Sequence, residues 1–456
     1  MHHTRRDIEA DRLGVAEGIR VAIDAEILPW RNGGVAHALC ALLHALAELP
    51  DGDESYRLVV GSEEEANFWR PEIGRNQTLV MRGEQGRTYA GSRRQTLQRL
   101  AAGAKAALRP SLNRLRKRLT ARYWPEVPIS DGFYESLGCD VLHLTWQRFI
   151  LCAVPTVYNP HDLQHLHLPQ LWPPEQLAWR ETVYSTGCRV AQTVIVGSQW
   201  ARDYIVRQYR VDPEKVQVIP EGPIGQLISS STRRSMQEVR EQYRLPEGYL
   251  LYPATMWHHK NHLRLLEALA LLRDKSGLVV PLVCTGTQLK QAWPGIESRI
   301  RELGLESQVR CLGFVPEADL RVIQRSAHCL VQPSLFEASS LPIFDAWFDG
   351  VPVACSRATA LPEQVGDAGL LFDPLSTQDI AEAIGMIVTR ADLRDTLRDR
   401  GYRRVKDFDW SRTAKAYRAV YRRTAGLTLS EEDRWLLQWD WMGEPQKPCP
   451  AGTLHA

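Results

Sequence analysis

The chain has 456 residues, of which 44% are hydrophobic and 24% are charged, which is ordinary for a globular protein of two or three domains. Its formal net charge of +2 argues against a surface built generally to coat a polyanion. No apolar run approaches the roughly 20 residues of a membrane-spanning helix, and residues 1–12 lack the apolar core of a signal peptide.

The nine cysteines are scattered and include no Cys-x-x-Cys pair. This pattern indicates neither a disulfide framework nor a zinc knuckle. Cys284, Cys329 and Cys355 fall in predicted strands, where a cysteine usually serves as a small buried hydrophobic residue. We therefore expect a reducing, cytoplasmic location.

Short apolar runs alternate with helical patterns along the chain, which is typical of parallel α/β sheets. In the first half we predict strands at 19–24, 57–60, 141–144, 156–158, 193–196 and 216–219, with helices at about 35–49 and from after 196 to 208. The alternation starts again after residues 220–223. There we predict strands at 249–253, 279–284, 309–312, 329–332 and 352–356, and helices at 261–273, 295–303, 317–326, from 341, 377–389, 392–405 and 411–424.

This order predicts an α/β protein with two doubly wound domains, residues 1–222 and 223–407, followed by a segment at 408–456. Ligands of such sheets bind outside the carboxyl ends of the strands. We therefore expect the site in the cleft between the two domains. Trp435, Trp439 and Trp441 are expected to pack into a hydrophobic seam rather than to form a free tail.

A basic insertion is expected in the first domain at residues 92–130. Residues 93–122 carry ten Lys or Arg and no acidic residue, with leucines interleaved at near-helical spacing. Such a segment can lie on anionic lipid, where each cation contributes about 1 kcal/mol. A solvated helix pair and a nucleic-acid site are the alternatives, and we favour peripheral membrane contact over both.

Two short segments of the first domain have the composition of a ligand loop. Gly33 and Gly34 lie between the first strand and its helix, where glycine lets the backbone approach a ligand. Residues 158–167, YNPHDLQHLH, contain three histidines. Because no helical His-x-x-x-His face with a nearby acid is evident, we predict no metal site there.

Two segments of the second domain carry charge at predicted element ends. Lys260 follows a strand and precedes the helix predicted from Asn261, where a cation would face a diphosphate held between the domains. Glu337 is separated by seven residues from Asp345, and the helix between them is predicted to begin near Leu341. The unpaired N–H groups and dipole of that helix end suit a diphosphate.

The segment around Glu337 resembles the retaining nucleotide-sugar glycosyltransferases of family 4. Their signature is a Glu, seven residues and a second Glu within a segment such as FEGFGLPVLEAMACGVPVV. The resemblance runs through Leu341, Pro342, Ala346, Gly350, Val351, Pro352 and Val353. This chain differs in having Asp345 in place of the second Glu, and Ala-Ser-Ser at 338–340 in place of a glycine-containing triplet.

The resemblance implies a GT-B fold, in which two Rossmann-like domains face each other and a final helix, here within 408–456, crosses back to the first domain. It also implies that no metal or other cofactor is required. Lys260, in a segment similar to the family's HKNH variant, would stabilise the departing nucleoside diphosphate. Many relatives place an Arg five or six residues earlier, where this chain has Thr255 and Ala254.

The remaining roles are carried over from the same resemblance. Glu337 would contact hydroxyls of the transferred sugar, and Asp345 the ribose of the nucleotide. His161, in an "HDLQ" loop, would hydrogen-bond the sugar, and Asp162 would help orient it or contact the acceptor. The other predicted donor-site residues are Ser339, Ser340 and Leu341, whose N–H groups would face the β-phosphate, Gly33 and Gly34 near the phosphate and acceptor, and Gly313, Phe314 and Val315 beside the nucleobase.

The function implied is transfer of a hexose, with mannose as the candidate sugar, from a nucleotide-diphosphate donor to a glycan or lipid-linked acceptor with retained configuration. The expected partners are this donor, this acceptor and an anionic membrane surface, but not nucleic acid. Two alternatives stay open at this point. One is another GT-B enzyme, such as a nucleotide-sugar epimerase. The other is a catalytically silent glycan-binding protein, which the departures at 338–340, 345 and 254–255 would favour.

Overall fold

The structure is a computed structural model that describes residues 18–29, 33–83, 126–226 and 234–443. The predicted basic segment at 93–122 lies outside these residues. The first domain contains a seven-stranded parallel sheet in the order β3-β2-β1-β4-β5-β6-β7. Its strands are β1 Arg20–Asp24, β2 Ser55–Val60, β3 Gln77–Met81, β4 Val141–Leu144, β5 Thr156–Tyr158, β6 Thr193–Val196 and β7 Val216–Val218.

The second domain contains a six-stranded parallel sheet in the order β10-β9-β8-β11-β12-β13. Its strands are β8 Leu250–Pro253, β9 Leu282–Thr285, β10 Val309–Cys311, β11 Cys329–Gln332, β12 Val353–Ser356 and β13 Leu370–Phe372. In both sheets the strand order reverses beside the first strand of the domain. Both sheets therefore have the topology that leaves a ligand crevice at their carboxyl ends.

Helices cover both sheets. In the first domain they are α1 Gly34–Glu48, α2 Glu63–Trp69, α3 Phe133–Ser136, α4 Gln164–His167, α5 Pro174–Val190 and α6 Gln199–Tyr209. In the second domain they are α7 Met236–Tyr243, α8 His262–Ser276, α9 Trp293–Glu302, α10 Glu317–Arg325, α11 Leu341–Phe348, α12 Leu361–Val365, α13 Thr377–Thr389 and α14 Ala391–Arg404. They are followed by α15 Trp410–Thr424 and α16 Glu431–Leu437. Among the described helices, none combines the length and apolarity needed to cross a bilayer.

The central strands are buried on both faces because helices pack on both sides of each sheet. All four residues of β4, β6, β9, β11 and β12 are buried. This explains why the continuous apolar runs in the sequence predicted them closely. The sequence did not predict β3 and β13, which are edge strands with incomplete burial.

Three segments join the two domains on one side of the cleft. The first is the linker at 219–226. The second is the start of α15, where the Trp410 indole N–H donates to the carbonyl of Pro223 in the linker at 3.0 Å. From there α15 packs against α1 of the first domain, as the resemblance implied for the final helix.

The third joining segment follows α16. Trp439 and Trp441 are buried in the core of the first domain, which confirms the prediction that these indoles fill a hydrophobic seam. Gln217 of β7 donates to the Leu437 carbonyl at 2.7 Å. Arg404 of the second domain donates to the carbonyls of Met442 and Gly443, each at 3.1 Å. The end of the described chain is thus bonded to both domains.

Candidate functional site

Lys260 and Glu337 meet at the carboxyl end of the second sheet. The Lys260 Nζ lies 2.6 Å from the Glu337 Oε1, and the two side chains are 19% and 10% exposed. Gln332, the last residue of β11, donates from Nε2 to the same carboxylate oxygen at 2.9 Å. The structure therefore brings together an ammonium and a carboxylate that are separated by 77 residues in sequence.

The backbone around this pair is fixed by buried polar contacts. Asn261, which has a φ of 61° and follows a 3-10 turn at His258–Lys260, donates from its side chain to the carbonyls of Pro333 and Pro374. The Tyr252 hydroxyl donates to the Lys260 carbonyl at 2.7 Å. On the other side, Thr359 Oγ1 accepts from the Glu337 N–H at 2.9 Å. The two charged side chains are therefore held on rigid backbone.

Helix α11 begins at Leu341, as predicted, and its N-cap residue Ser340 makes no side-chain capping bond. The Ser340 hydroxyl instead donates to Gln332 Oε1 at 2.8 Å. The Ser340 N–H, which was expected to face a diphosphate, donates to Gln364 Oε1 at 2.9 Å. In the described structure the Ser340 N–H is therefore already paired, whereas no such acceptor is found for the N–H groups of Ser339 and Leu341. The phosphate contact of all three residues stays a prediction.

Helix α1 of the first domain starts directly opposite. Gly33 is its N-cap, with a φ of 57° that favours glycine. A Cβ atom on Gly34 would lie 3.3 Å from the Cδ1 of Leu341. The two glycines thus allow the N-terminal end of α1 to approach that of α11. Neither helix end has a side-chain cap. Two uncapped N-terminal ends, each the positive end of a helix dipole, therefore lie close together at the seam between the domains.

Asp345, in the second turn of α11, belongs to a different group of side chains. Its Oδ1 accepts from the linker N–H of Gly225 at 2.9 Å and lies 3.2 Å from Arg321 Nη1. Burial and, to a smaller extent, the charge of Glu317 raise the pKa of Asp345 to about 7, although Arg321 opposes the shift. These bonds tie Asp345 to the linker rather than to the Lys260–Glu337 pair. The ribose contact expected of Asp345 stays a prediction.

His161 and Asp162 lie at the carboxyl end of β5. His161 has a φ of 61°, and its Nε2 lies 2.6 Å from the Thr145 carbonyl, so this nitrogen carries the proton that it donates. Asp162 accepts from the Gln147 side chain and from the Gln164 N–H, both at 3.0 Å. The His161 ring borders a small cavity of about 30 Å³ that is also lined by α1 and α15.

The loop at 313–315 has the geometry of a tight turn. Gly313 has a φ of 71°, and its carbonyl accepts from the Gly286 N–H at 2.7 Å. Phe314 is 65% exposed, whereas Val315 is buried in a core cluster. Phe314 is thus the residue of the three with a side chain free to meet a flat ring, and the predicted nucleobase contact remains a prediction.

Sequence reasoning gave no role to Glu221 or Gln332. Glu221 lies in the linker, and its Oε2 accepts from the Ser339 hydroxyl at 2.6 Å, which bonds the α11 loop to the first domain. Its signal was an acid inside Pro-Glu-Gly-Pro, which we had interpreted only as a domain boundary. Gln332 orders both Glu337 and Ser340. Its signal was a polar residue at the carboxyl end of a buried strand.

A third helix end also reaches the seam. Ser198 caps α6 by accepting from the Ala201 N–H at 3.2 Å. Glu363 of the second domain accepts from the N–H groups of the first two helical residues, Gln199 at 2.6 Å and Trp200 at 2.7 Å. Burial raises the pKa of Glu363, although these two N–H donors act in the opposite direction. A carboxylate of the protein itself therefore fills the N-terminal end of α6.

Two family models match the chain. "Glycosyl transferases group 1" matches residues 235–404, and "Glycosyltransferase Family 4" matches residues 78–222. The chain is 30% identical over 268 residues to the O-antigen chain mannosyltransferase B of Escherichia coli, an alignment that covers 57% of this chain and 69% of that protein. It is 30% identical over 237 residues to the MMP alpha-(1->4)-mannosyltransferase of Mycolicibacterium hassiacum, covering 51% of this chain and 54% of that one.

Solved structures agree with the architecture. Anabaena HepE in complex with UDP and glucose superposes with a TM-score of 0.62 at 17% identity, over 88% of this chain and 99% of that one. The sucrose-phosphate synthase of Thermosynechococcus elongatus gives a TM-score of 0.61 at 19% identity, over 89% and 98% of the two chains. Together with the two parallel sheets, these similarities establish the GT-B fold.

Proposed function

Since this chain belongs to family 4 of the glycosyltransferases and is a glycosyltransferase of glycan synthesis, we propose that it transfers mannose from a nucleoside diphosphate donor to a glycan or lipid-linked acceptor, with retained configuration. One observation carries the proposal. Lys260 and Glu337 form a largely buried pair at the carboxyl end of the second sheet, where the uncapped α11 begins. The choice of mannose is supported by the names of the two relatives that are 30% identical.

The donor diphosphate would bind where α1 and α11 begin. An ammonium has three N–H donors, and the Lys260–Glu337 bond uses one of them. The others would reach phosphate oxygens, together with the backbone N–H groups of Ser339 and Leu341. Charge that develops on the leaving diphosphate is then met by donors that are already oriented, which is the largest source of catalysis in such sites.

Glu337 would hydrogen-bond a hydroxyl of the transferred sugar rather than attack its anomeric carbon. A retaining glycosidase uses a carboxylate nucleophile beneath that carbon. Here one oxygen of Glu337 is occupied by Lys260 and Gln332, so the second oxygen would accept a sugar hydroxyl. His161, with its Nε2–H directed to the Thr145 carbonyl, presents Nδ1 as the atom able to accept from a sugar hydroxyl.

The transfer step then proceeds on one face of the sugar. The bond between the anomeric carbon and the phosphate oxygen breaks through an oxocarbenium-like transition state. The acceptor oxygen forms the new bond to the same face, and its proton passes to the phosphate oxygen that leaves. The protein holds both substrates and stabilises the negative charge of the diphosphate.

The test is a transfer assay with the full chain. The purified protein is first screened for a thermal shift with GDP, UDP, ADP and dTDP, because binding to the folded state raises its melting temperature. The mannose and glucose derivatives of the stabilising nucleotide are then offered with α-linked manno-oligosaccharides. We expect transfer from the mannosyl donor and an α-linked product by NMR. Absence of both transfer and donor hydrolysis with every nucleotide sugar would contradict the proposal.

A further inference from the structure

A cluster of three potential metal ligands lies in the first domain, away from the cleft. Cys40 and His44 belong to α1, and Glu72 follows α2. Glu72 Oε2 accepts from the Cys40 Sγ at 3.2 Å and lies 3.0 Å from the His44 Nε2. The three ligand atoms all lie within 4.8 Å of one another. Among the described residues, this is the only group of three or more His, Cys, Asp or Glu side chains with such spacing.

The backbone places these side chains without strain. Residues four apart on a helix lie on the same face, so α1 presents the thiol of Cys40 directly below the imidazole of His44. Glu72 is held in a turn by its own N–H, which donates to the Trp69 carbonyl at 2.9 Å. His44 and Glu72 have side-chain exposures of 34% and 30%. An ion could therefore reach the cluster from solvent.

The spacing is close to that of a zinc site. With bonds of about 2.1 Å to nitrogen and oxygen and about 2.3 Å to sulfur, ligand atoms of a tetrahedral zinc ion lie about 3.4 to 3.6 Å apart. The observed separations from the Glu72 oxygen, 3.0 and 3.2 Å, are shorter by only a few tenths of an ångström. Small rotamer changes would open the cluster enough to admit an ion.

We propose that Cys40, His44 and Glu72 bind a divalent transition metal, with Zn²⁺ as the preferred ion. A thiolate and an imidazole favour Zn²⁺ over Mg²⁺ or Ca²⁺, which prefer oxygen ligands. On binding, the Cys40 S–H bond breaks, its proton passes to water, and sulfur bonds the ion; the neutral His44 binds through Nε2 with its proton on Nδ1. Water completes the tetrahedral coordination.

This site is separate from the transfer chemistry. Cys40 lies six residues, or about 9 Å along the helix axis, beyond Gly34 at the cleft end of α1. The ion would crosslink α1 to the turn that leads into β3. Its role would be to fix the helix whose other end contacts Leu341, and the inference does not depend on the proposed sugar or acceptor.

The test is cobalt binding to the full chain. The protein is treated with a chelator, dialysed and titrated with Co²⁺, which gives visible d–d bands in a tetrahedral site and a near-ultraviolet charge-transfer band when thiolate is a ligand. We expect one equivalent to produce both bands and Zn²⁺ to abolish them. Cys40→Ser is expected to remove the charge-transfer band, and His44→Gln to weaken binding by about tenfold or more.

Cys139→Ser is the matched control, because Cys139 is also a half-buried thiol of the first domain and is not a member of the cluster. It should keep both bands. Circular dichroism confirms that each variant is folded. The proposal is overturned if the folded wild type shows no charge-transfer band, which would leave a hydrogen-bonded cluster only, or if the band persists in Cys40→Ser.

Discussion

Helices α6 and α11 both begin at the seam between the domains, but their N-terminal ends are occupied differently. At α6, Ser198 and Glu363 accept from the N–H groups of Ala201, Gln199 and Trp200. At α11, the N-cap residue makes no side-chain capping bond. Of the two carboxylates in the preceding loop region, Glu221 accepts from the hydroxyl of Ser339 rather than from a helix N–H, and Glu337 is paired with Lys260.

The difference shows how one physical feature serves two purposes. A helix N-terminus attracts negative charge, and in α6 the protein supplies that charge from the opposite domain, which joins the two halves. In α11 the protein supplies a cation instead. The end of α11 is therefore prepared for an anion that comes from outside, as the proposed diphosphate would.

The largest effect is expected from removal of the cation. We expect Lys260→Ala to lower kcat by about 10²-fold or more, because the diphosphate would lose its ammonium partner as negative charge develops. Lys275→Ala, which changes a lysine at the far end of α8, is the control and should keep full activity. The initial rate of sugar transfer is the measurement, and near-normal turnover in Lys260→Ala would end the proposed role.

The second change concerns the anchoring of α11 to the linker. Because the pKa of Asp345 is raised from 3.8 to about 7, the folded protein retains a proton between these pH values that the unfolded chain releases. The free energy of unfolding should therefore fall as the pH rises through this window. Asp345→Asn should remove this dependence. Between pH 4 and pH 7, the free energy of unfolding of the variant should therefore rise relative to that of the wild type by about 2 kcal/mol or more.

Urea denaturation at a series of pH values measures this effect. Asp367→Asn is the control, because the Asp367 carboxylate is 78% exposed and the substitution should leave the wild-type pH profile unchanged. Parallel profiles for wild type and Asp345→Asn would refute the prediction.

The third change opens the filled helix end. Glu363→Ala removes the acceptor of two N–H groups and should cost about 1 to 2 kcal/mol of stability. Added sulfate should restore part of the loss, because an anion can then occupy the end of α6. Chemical denaturation with and without sulfate is the measurement. Glu382→Ala, in the exposed part of α13, should show neither effect; equal behaviour of the two variants would contradict the account.

The smallest effect is expected at the other cap of α6. Ser198→Ala should cost about 1 kcal/mol, since only the bond to the Ala201 N–H is lost. The melting temperature reports the change. Ser198→Asp, which keeps an acceptor at the N-cap, should recover most of it, and failure to do so would show that the serine acts through packing.

The sequence predicted eleven of the thirteen described strands because both sheets use continuous apolar runs, but it did not predict helices such as α5. It also predicted the start of α11, since Pro342 occupies a first-turn position where its missing N–H costs nothing. What it could not predict were bonds between residues far apart in the chain. Glu363 and Gln199 are separated by 164 residues, and Asp345 and Gly225 by 120.

The same limit applies to the bond that the Ser340 N–H makes. A local pattern shows that a helix begins there, and family resemblance suggests a phosphate on its N–H groups. Gln364, which accepts the Ser340 N–H, reaches this point only through packing of α12 against the loop. Lys260 and Glu337, by contrast, were predictable because each follows a strand, and parallel strands end at one edge of a sheet.

The three connections between the domains have a mechanical consequence. The linker contacts the start of α15, and Arg404 bonds the chain after Trp441, so all three lie along a single side. Separation of the domains on that side would break these hydrogen bonds, whereas the described residues place none of the three connections on the opposite side. The three connections would thus act as a hinge, and the nucleotide would enter and leave the cleft on the side opposite to it.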